Sequence, residues 1–254
     1  MIYLTELNKK DDLRQSRVVM KYEFRKHLEG NKILLFGGLI VAVLLMLTVL
    51  PYVFGDGLPK DASKLGSLYL MFVSLIVLVA ATLFTSGSIS SEFEERTALI
   101  IFTKPVRKWS IYLGKYVASC MLGIAFMVVY YAIVCAVSLA VTSSIPPNFV
   151  ASLGLTILYV LATGGIAIMI SSFAKKSSTA AILTFITLLL LISIVTGVLM
   201  MNNVNTWFML DDASNHISTS ITCESGTGAA AGVMVVWAAI TTIFGYFIFK
   251  RREF

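Results

Sequence analysis

Six stretches of this chain contain no Asp, Glu, Lys or Arg: residues 33–54, 67–89, 116–141, 149–173, 179–201 and 229–249. Each would be roughly 30 Å or more long as a helix, enough to cross a hydrocarbon core. A soluble domain is excluded by this distribution. So is an ion or proton relay made of charged groups inside those stretches, which leaves any pumping to an engine outside this chain. Only two histidines occur, His27 and His216, both outside the uncharged stretches, and there is no HExxH. An intramembrane protease needs a nucleophile–base or metal pair at depth, and none is available. No Gly-x-x-x-x-Gly-Lys-[Ser/Thr] stretch is present, and Gly114-Lys115-Tyr116 lacks both the upstream glycine and the hydroxyl. The chain therefore encodes no phosphate cradle of that type and is not expected to be an enzyme.

Cysteine is scarce, with Cys120, Cys135 and Cys223 only, and their spacing suggests neither a disulfide framework nor a zinc site. A Cys135–Cys223 bridge is conceivable. Met200, Met201, Met209, His216 and Cys223 gather soft ligands that suit copper, but methionine is also an ordinary apolar filler and no pair has ligand-like spacing. No cofactor is expected. Internal repeats and an inverted pattern of interrupted spans are also absent, which argues against a secondary transporter.

What is present is apolar: 57% of residues are hydrophobic, and mean hydropathy is +0.86. Uncharged runs of about twenty residues fit helices rather than barrel strands of about ten. The expected fold is an all-α integral membrane protein of six transmembrane helices in a single domain over 1–254. A cytoplasmic arm and elbow occupy 1–32, the six-span bundle 33–249 and a cytoplasmic tail 250–254. The net charge of +6 is a topology signal rather than a nucleic-acid footprint. Eighteen of the 20 basic residues fall on one side of the six spans, and only Lys60 and Lys64 fall on the other. The positive-inside rule then places both termini in the cytoplasm.

Residues 13–31 read as a helix lying on the membrane, with Leu13, Met20, Phe24 and Leu28 on one side and Arg25, Lys26 and Glu29 largely opposite. Val18 and Tyr22 interrupt that stripe. The outer loop at 202–228 is acidic and holds an apolar island, Trp207-Phe208-Met209-Leu210, which either dips into the interface or packs against its own helix ends. Gly114-xxx-Ala118, Ser119-xxx-Gly123 and Gly228-xxx-Gly232 have the small-residue spacing that permits close helix contact.

The informative soluble segment is SISSEFEERTALIIFTKPVRKWSIYLGK, Ser88 to Lys115. Ser91 and Glu94 fit a capping box that would start or restart a helix. Glu92 and Arg96 stand four apart, as in a helical ion pair. Phe93, Thr97, Ile100 and Ile101 share one face, and Pro105 ends the element. A short amphipathic helix held between two spans is either a lever for a partner or a loop that merely orients them.

This segment resembles the first cytoplasmic loop of ABC-2 type transporter permeases, the membrane subunits of ABC exporters. The matching residues are the acidic cluster Glu92, Glu94, Glu95 with Arg96 and Thr97, then Thr103-Lys104-Pro105, Arg107-Lys108 and Gly114-Lys115. Arg96 stands where many members carry glycine. The resemblance implies a permease without its own ATPase site, paired with a second permease subunit, identical or related, in the lipid bilayer. A separate ATPase subunit would grip a coupling helix formed by about residues 91–102. Glu92, Phe93, Glu94, Glu95, Arg96, Thr97, Thr103 and Pro105 would be the coupling residues. It further implies the plasma membrane of a prokaryote and no nucleic-acid partner. The alternatives are a channel or secondary transporter, or a non-transporting membrane scaffold or sensor.

Overall fold

The computed structural model describes residues 9–28, 30–54, 57–94, 108–222 and 226–251, with side chains from Ser16 onward. The described residues form helices and their connections, with no strand among them. Six helices are long and apolar enough to span a membrane: Lys32–Phe54, Ala62–Glu94, Lys108–Thr142, Phe149–Phe173, Ser177–Met201 and Thr227–Arg251, here spans 1 to 6. The protein is thus an all-α integral membrane protein. Spans 2 and 3 outrun their uncharged stretches because the helices continue through Glu92 and Lys115. Span 3, at 35 residues, is about 52 Å long at 1.5 Å per residue, so one end projects well beyond a hydrocarbon core of about 30 Å.

Spans 2 and 4 form the centre, with 61% and 67% of their apolar windows buried, against 17% for spans 1 and 5. The most extensive packing joins span 4 to span 6. Its cause is glycine at the contact. A Cβ at Gly245 would stand 2.9 Å from the Met169 Cα, and one at Gly165 would stand 3.3 Å from the Ala238 carbonyl oxygen. Small residues let membrane helices approach where larger ones hold them apart. Gly228 and Gly232, which the sequence spacing singles out, have nothing within 4 Å. Gly245→Ala is therefore expected to lower the thermal midpoint, at a cost of about 1–3 kcal/mol from overpacking. Gly228→Ala should leave it unchanged, and equal midpoints for the two variants would contradict this seam.

Contacts sort the helix ends into two sets. At one end, Glu94 of span 2 meets Ser177 of span 5, Ser90 meets Ser171 of span 4, and Lys108 of span 3 reaches the Lys250 carbonyl of span 6. Both described chain ends and the flanks of segment 95–107 lie here. At the other end, Gly66 abuts Pro146 and Ile221, and the Asn148 amide donates to the Ser220 carbonyl.

Span 2 is irregular. Its helical pieces are Ala62–Leu70, Val73–Ala80 and Ser90–Glu94, with a π-helical turn at Ala81–Thr85. Irregular backbone at membrane depth is tolerated where protein surrounds it, and span 2 is among the two most enclosed spans. The hydroxyls of Ser86 and Ser88 return to the carbonyls of Thr82 and Phe84. Span 5 carries a second π turn, Thr187–Leu191.

The N-terminal helix runs over Lys9–Leu28, and its docked side is the polar one. Its buried side is Glu23 and His27, with Val19 half-buried beside them, and it docks on span 3. Gly114 makes room: a Cβ there would lie 2.9 Å from the Ser16 carbonyl oxygen and 3.1 Å from the Val19 side chain. Phe24, Leu28, Val18 and Tyr22 are all exposed. In a bilayer, apolar side chains lose nothing by facing outward, so periodicity alone does not tell the docked face from the lipid face.

The described part of the 202–228 loop packs against helix ends. Leu210–Thr219 forms a helix lying on spans 2, 4 and 6. Met209, Leu210, Ala213 and Ile217 are buried, while Trp207 and Phe208 are exposed. The Ser152 hydroxyl donates to the Ile217 carbonyl at 2.6 Å, and the Trp237 indole donates to the Phe208 carbonyl at 3.0 Å. Cys120 and Cys135 are free thiols, and Cys223 lies outside the described residues. Among the described residues no three His, Cys, Asp or Glu side chains gather as a metal site would require.

Candidate functional site

Lys115 sits seven residues into span 3, about 10 Å along the helix axis, and is 2% exposed. An ammonium group has three N–H donors, and burial without acceptors costs several kcal/mol. All three are matched, one from the N-terminal helix and two from span 2. Lys115 Nζ lies 2.9 Å from Glu23 Oε2 on the N-terminal helix. It lies 2.5 Å from Glu92 Oε1 near the end of span 2. It also donates to the Ser88 carbonyl at 2.9 Å, in the turn that precedes the last helical piece of span 2. Glu23 is 2% exposed, and the Glu92 side chain 14%.

Around this ion triad the polar groups interlock. The Ser171 hydroxyl of span 4 accepts from the backbone N–H groups of Ile89 and Ser90, both at 3.1 Å. It thereby caps the restarted helix Ser90–Glu94 from outside. The helix restarts as the sequence suggests, but not through a local capping box. The Ser91 N–H bonds to the Gly87 carbonyl. Glu94 Oε2 accepts from the Ser177 N–H at 2.9 Å, capping the first turn of span 5, where Lys176 supplies no side-chain cap. The Lys26 ammonium donates to the Ser91 hydroxyl at 3.4 Å.

His27 completes the cluster. Its Nε2 is 3.9 Å from Glu23 Oε1, and the ring packs edge-on against Phe84 at 5.7 Å. Phe84 lies in the π turn and belongs to an aromatic cluster with Phe36 of span 1 and Phe126 of span 3. Burial pushes the His27 pKa down to about 4; nearby Glu23 opposes this and Lys32, Lys26 and Lys115 reinforce it. At neutral pH the imidazole is therefore uncharged.

This has a pH consequence. Between about 4 and the ordinary 6.5, an undocked His27 binds a proton that the docked one refuses. The unfolded state then binds more protons, so stability rises with pH across that window and is lost on acidification. The separation corresponds to roughly 3 kcal/mol. The thermal midpoint should fall more steeply from pH 7 to pH 5 in the native chain than in His27→Gln; parallel slopes would contradict the reading.

The residues singled out from sequence divide three ways. Glu92 points inward to Lys115 and Phe93 is half-buried against the core. Glu94 ties span 2 to span 5. Glu95, Arg96, Thr97, Thr103 and Pro105 lie outside the described residues. The sequence singles out Lys115 only as part of the Gly114-Lys115 pair, and Glu23 not at all. The legible signal was Lys115 itself, a lone charge directly before a 26-residue uncharged stretch. Arranged this way, the cluster is a set of mutual ion pairs and hydrogen bonds. It joins the root of segment 95–107 on span 2, the root on span 3 and the N-terminal helix in one charged joint.

A family model described as ABC-2 family transporter protein matches residues 53–217. That match takes in spans 2 to 5, segment 95–107, Glu92 and Lys115. No curated protein matches the chain.

Proposed function

Starting from the chain's membership of the ABC-2 family of transporter proteins, which the match over residues 53–217 shows, we propose that it is the membrane subunit of an ATP-driven exporter. Six membrane-length helices and the family make it a multi-pass transporter permease. Beyond that, we read segment 90–108 as the handle of a separate ATPase subunit, with Glu94, Glu95, Arg96, Thr97, Thr103 and Pro105 as its grip and Glu92 and Phe93 as its inner anchor. A second permease subunit, identical or related, completes the path. The single domain, with both termini in the cytoplasm of a prokaryotic cell, belongs to the same reading.

The observation that carries this is the Glu23–Lys115–Glu92 joint. The two roots of the segment are tied at 2.5 Å through Lys115 and Glu92. A push on the segment would not flex one root alone. It would move span 2, span 3 and the N-terminal helix together, and span 5 through Glu94 and Ser177. Such rigid coupling suits a permease body bent by force from outside.

The test is reconstitution. Vesicles holding the chain with a co-purified ATP-binding subunit should move solute on addition of ATP. Vesicles holding the chain alone should not. Uphill transport by the chain alone, with no nucleotide-hydrolysing partner, would overturn the proposal.

A further inference from the structure

At the end of the bundle away from the Lys115 joint, a cleft of about 410 Å³ opens between span 1 and span 2. Its walls are Met46, Leu47, Leu50, Pro51 and Phe54 of span 1 and Leu68, Met71 and Phe72 of span 2. All eight are apolar. Two local features hold it open. Pro51 lies inside the span 1 helix, where its ring removes a backbone donor and crowds the preceding turn. Span 2 breaks at Met71-Phe72, between the helical pieces Ala62–Leu70 and Val73–Ala80. Neighbouring helices that would otherwise pack closely diverge there. Leu50, Phe54 and Met71 are exposed, so the cleft opens sideways, toward the membrane.

Above it stand the two basic residues that interrupt the charge asymmetry, Lys60 and Lys64. Lys64 belongs to the helix Ala62–Leu70. Residues four and seven positions on, Leu68 and Met71, line the cleft, so Lys64 lies on the same helix face one turn nearer the headgroups. Lys60 lies four residues earlier, just before that helix begins. Both are exposed. The neighbouring Asp61 carboxylate caps the helix, accepting from the Ser63 N–H at 3.2 Å. Two cations over an apolar slot match an amphiphile with an anionic head and a hydrocarbon tail.

We propose that this cleft holds one acyl chain of an anionic phospholipid, with the phosphate at Lys60 and Lys64. With the termini in the cytoplasm, this is an outer-leaflet lipid. The proposal does not depend on coupling to an ATPase.

The experiment uses the full chain in vesicles containing a photoactivatable phosphatidylglycerol, or a phosphatidylcholine with the same photoactivatable chain. Crosslinks are mapped by peptide mass spectrometry, which separates this cleft from the basic residues at the other end. Phosphatidylglycerol should label the peptide carrying Leu68, Met71 and Phe72 about tenfold more than phosphatidylcholine, in the range two membrane-surface lysines support. Lys60→Gln with Lys64→Gln should bring the two lipids to equality. Leu68→Trp, filling the slot, should abolish labelling by both. Equal labelling of the native chain by the two lipids, or a preference that survives the double lysine variant, would overturn the proposal. So would a Met71→Cys variant that forms a disulfide with a second copy at this face.

Discussion

Replacing Lys115 by methionine is expected to destabilise the protein by about 3–5 kcal/mol, the usual cost of removing one member of a buried ion pair. Two carboxylates would remain, Glu23 at 2% exposure and Glu92 at 14%, without the ammonium that lies between them. The Ser88 carbonyl would lose its donor as well. Dissociation of the N-terminal helix is the first expected consequence, since Glu23 gains most by returning to water. The measurement is the thermal midpoint in detergent, together with protease cleavage within residues 16–28. A midpoint within a degree of the native one would show that the triad does not hold these helices.

The compensated variant separates stability from force transmission. Glu23→Gln, Lys115→Met and Glu92→Gln together remove every charge of the triad, and such neutral replacements are often tolerated. Its midpoint should recover most of the loss. ATP-driven transport with the partner ATPase should remain impaired, because the Glu23–Lys115–Glu92 ion pairs no longer join span 2 and span 3 to the N-terminal helix. Full transport in the triple variant would reduce the joint to a structural fastener.

Reversing Glu94 and Glu95 to lysine is the second large effect, with transport expected to fall by more than about tenfold while the chain still inserts. Glu94 is exposed and caps span 5 through the Ser177 N–H. A lysine there places a cation against the positive end of a helix dipole, an unfavourable contact of up to about 1 kcal/mol. That is too small to unfold a six-span bundle, so loss of transport would report on the interface with the ATPase. The decisive readout is co-purification. The variant should be recovered from membranes in native amount but without its ATP-binding partner. Unchanged transport and unchanged partner recovery would remove the acidic cluster from the coupling role.

The parts of the fold that depend on single residues against solvent were legible in the sequence. Span number follows from six uncharged stretches, because each charge inside a bilayer core costs kilocalories. Span ends in this protein needed more. Glu92 and Lys115 look like headgroup charges when read singly, and only their 2.5 Å contact shows that the helices continue and the charges are buried as a pair. The docked face of the N-terminal helix was not legible for a related reason. Apolar residues mark a core in water, but in lipid they mark the outside as readily. The docked face was carried by a glutamate and a histidine.

The amino-acid sequence by itself determined that this is a six-helix membrane protein with an acidic, proline-ended loop and a one-sided distribution of basic residues. It did so because hydropathy and charge are properties of one residue against its solvent. Tertiary structure alone decided which charges meet, which glycines let spans 4 and 6 touch, and where spans 1 and 2 part to leave a cleft. Those are relations between residues as far as 92 positions apart, as in the Glu23–Lys115 pair. No local period encodes such separations, and only packing brings the partners within hydrogen-bond reach.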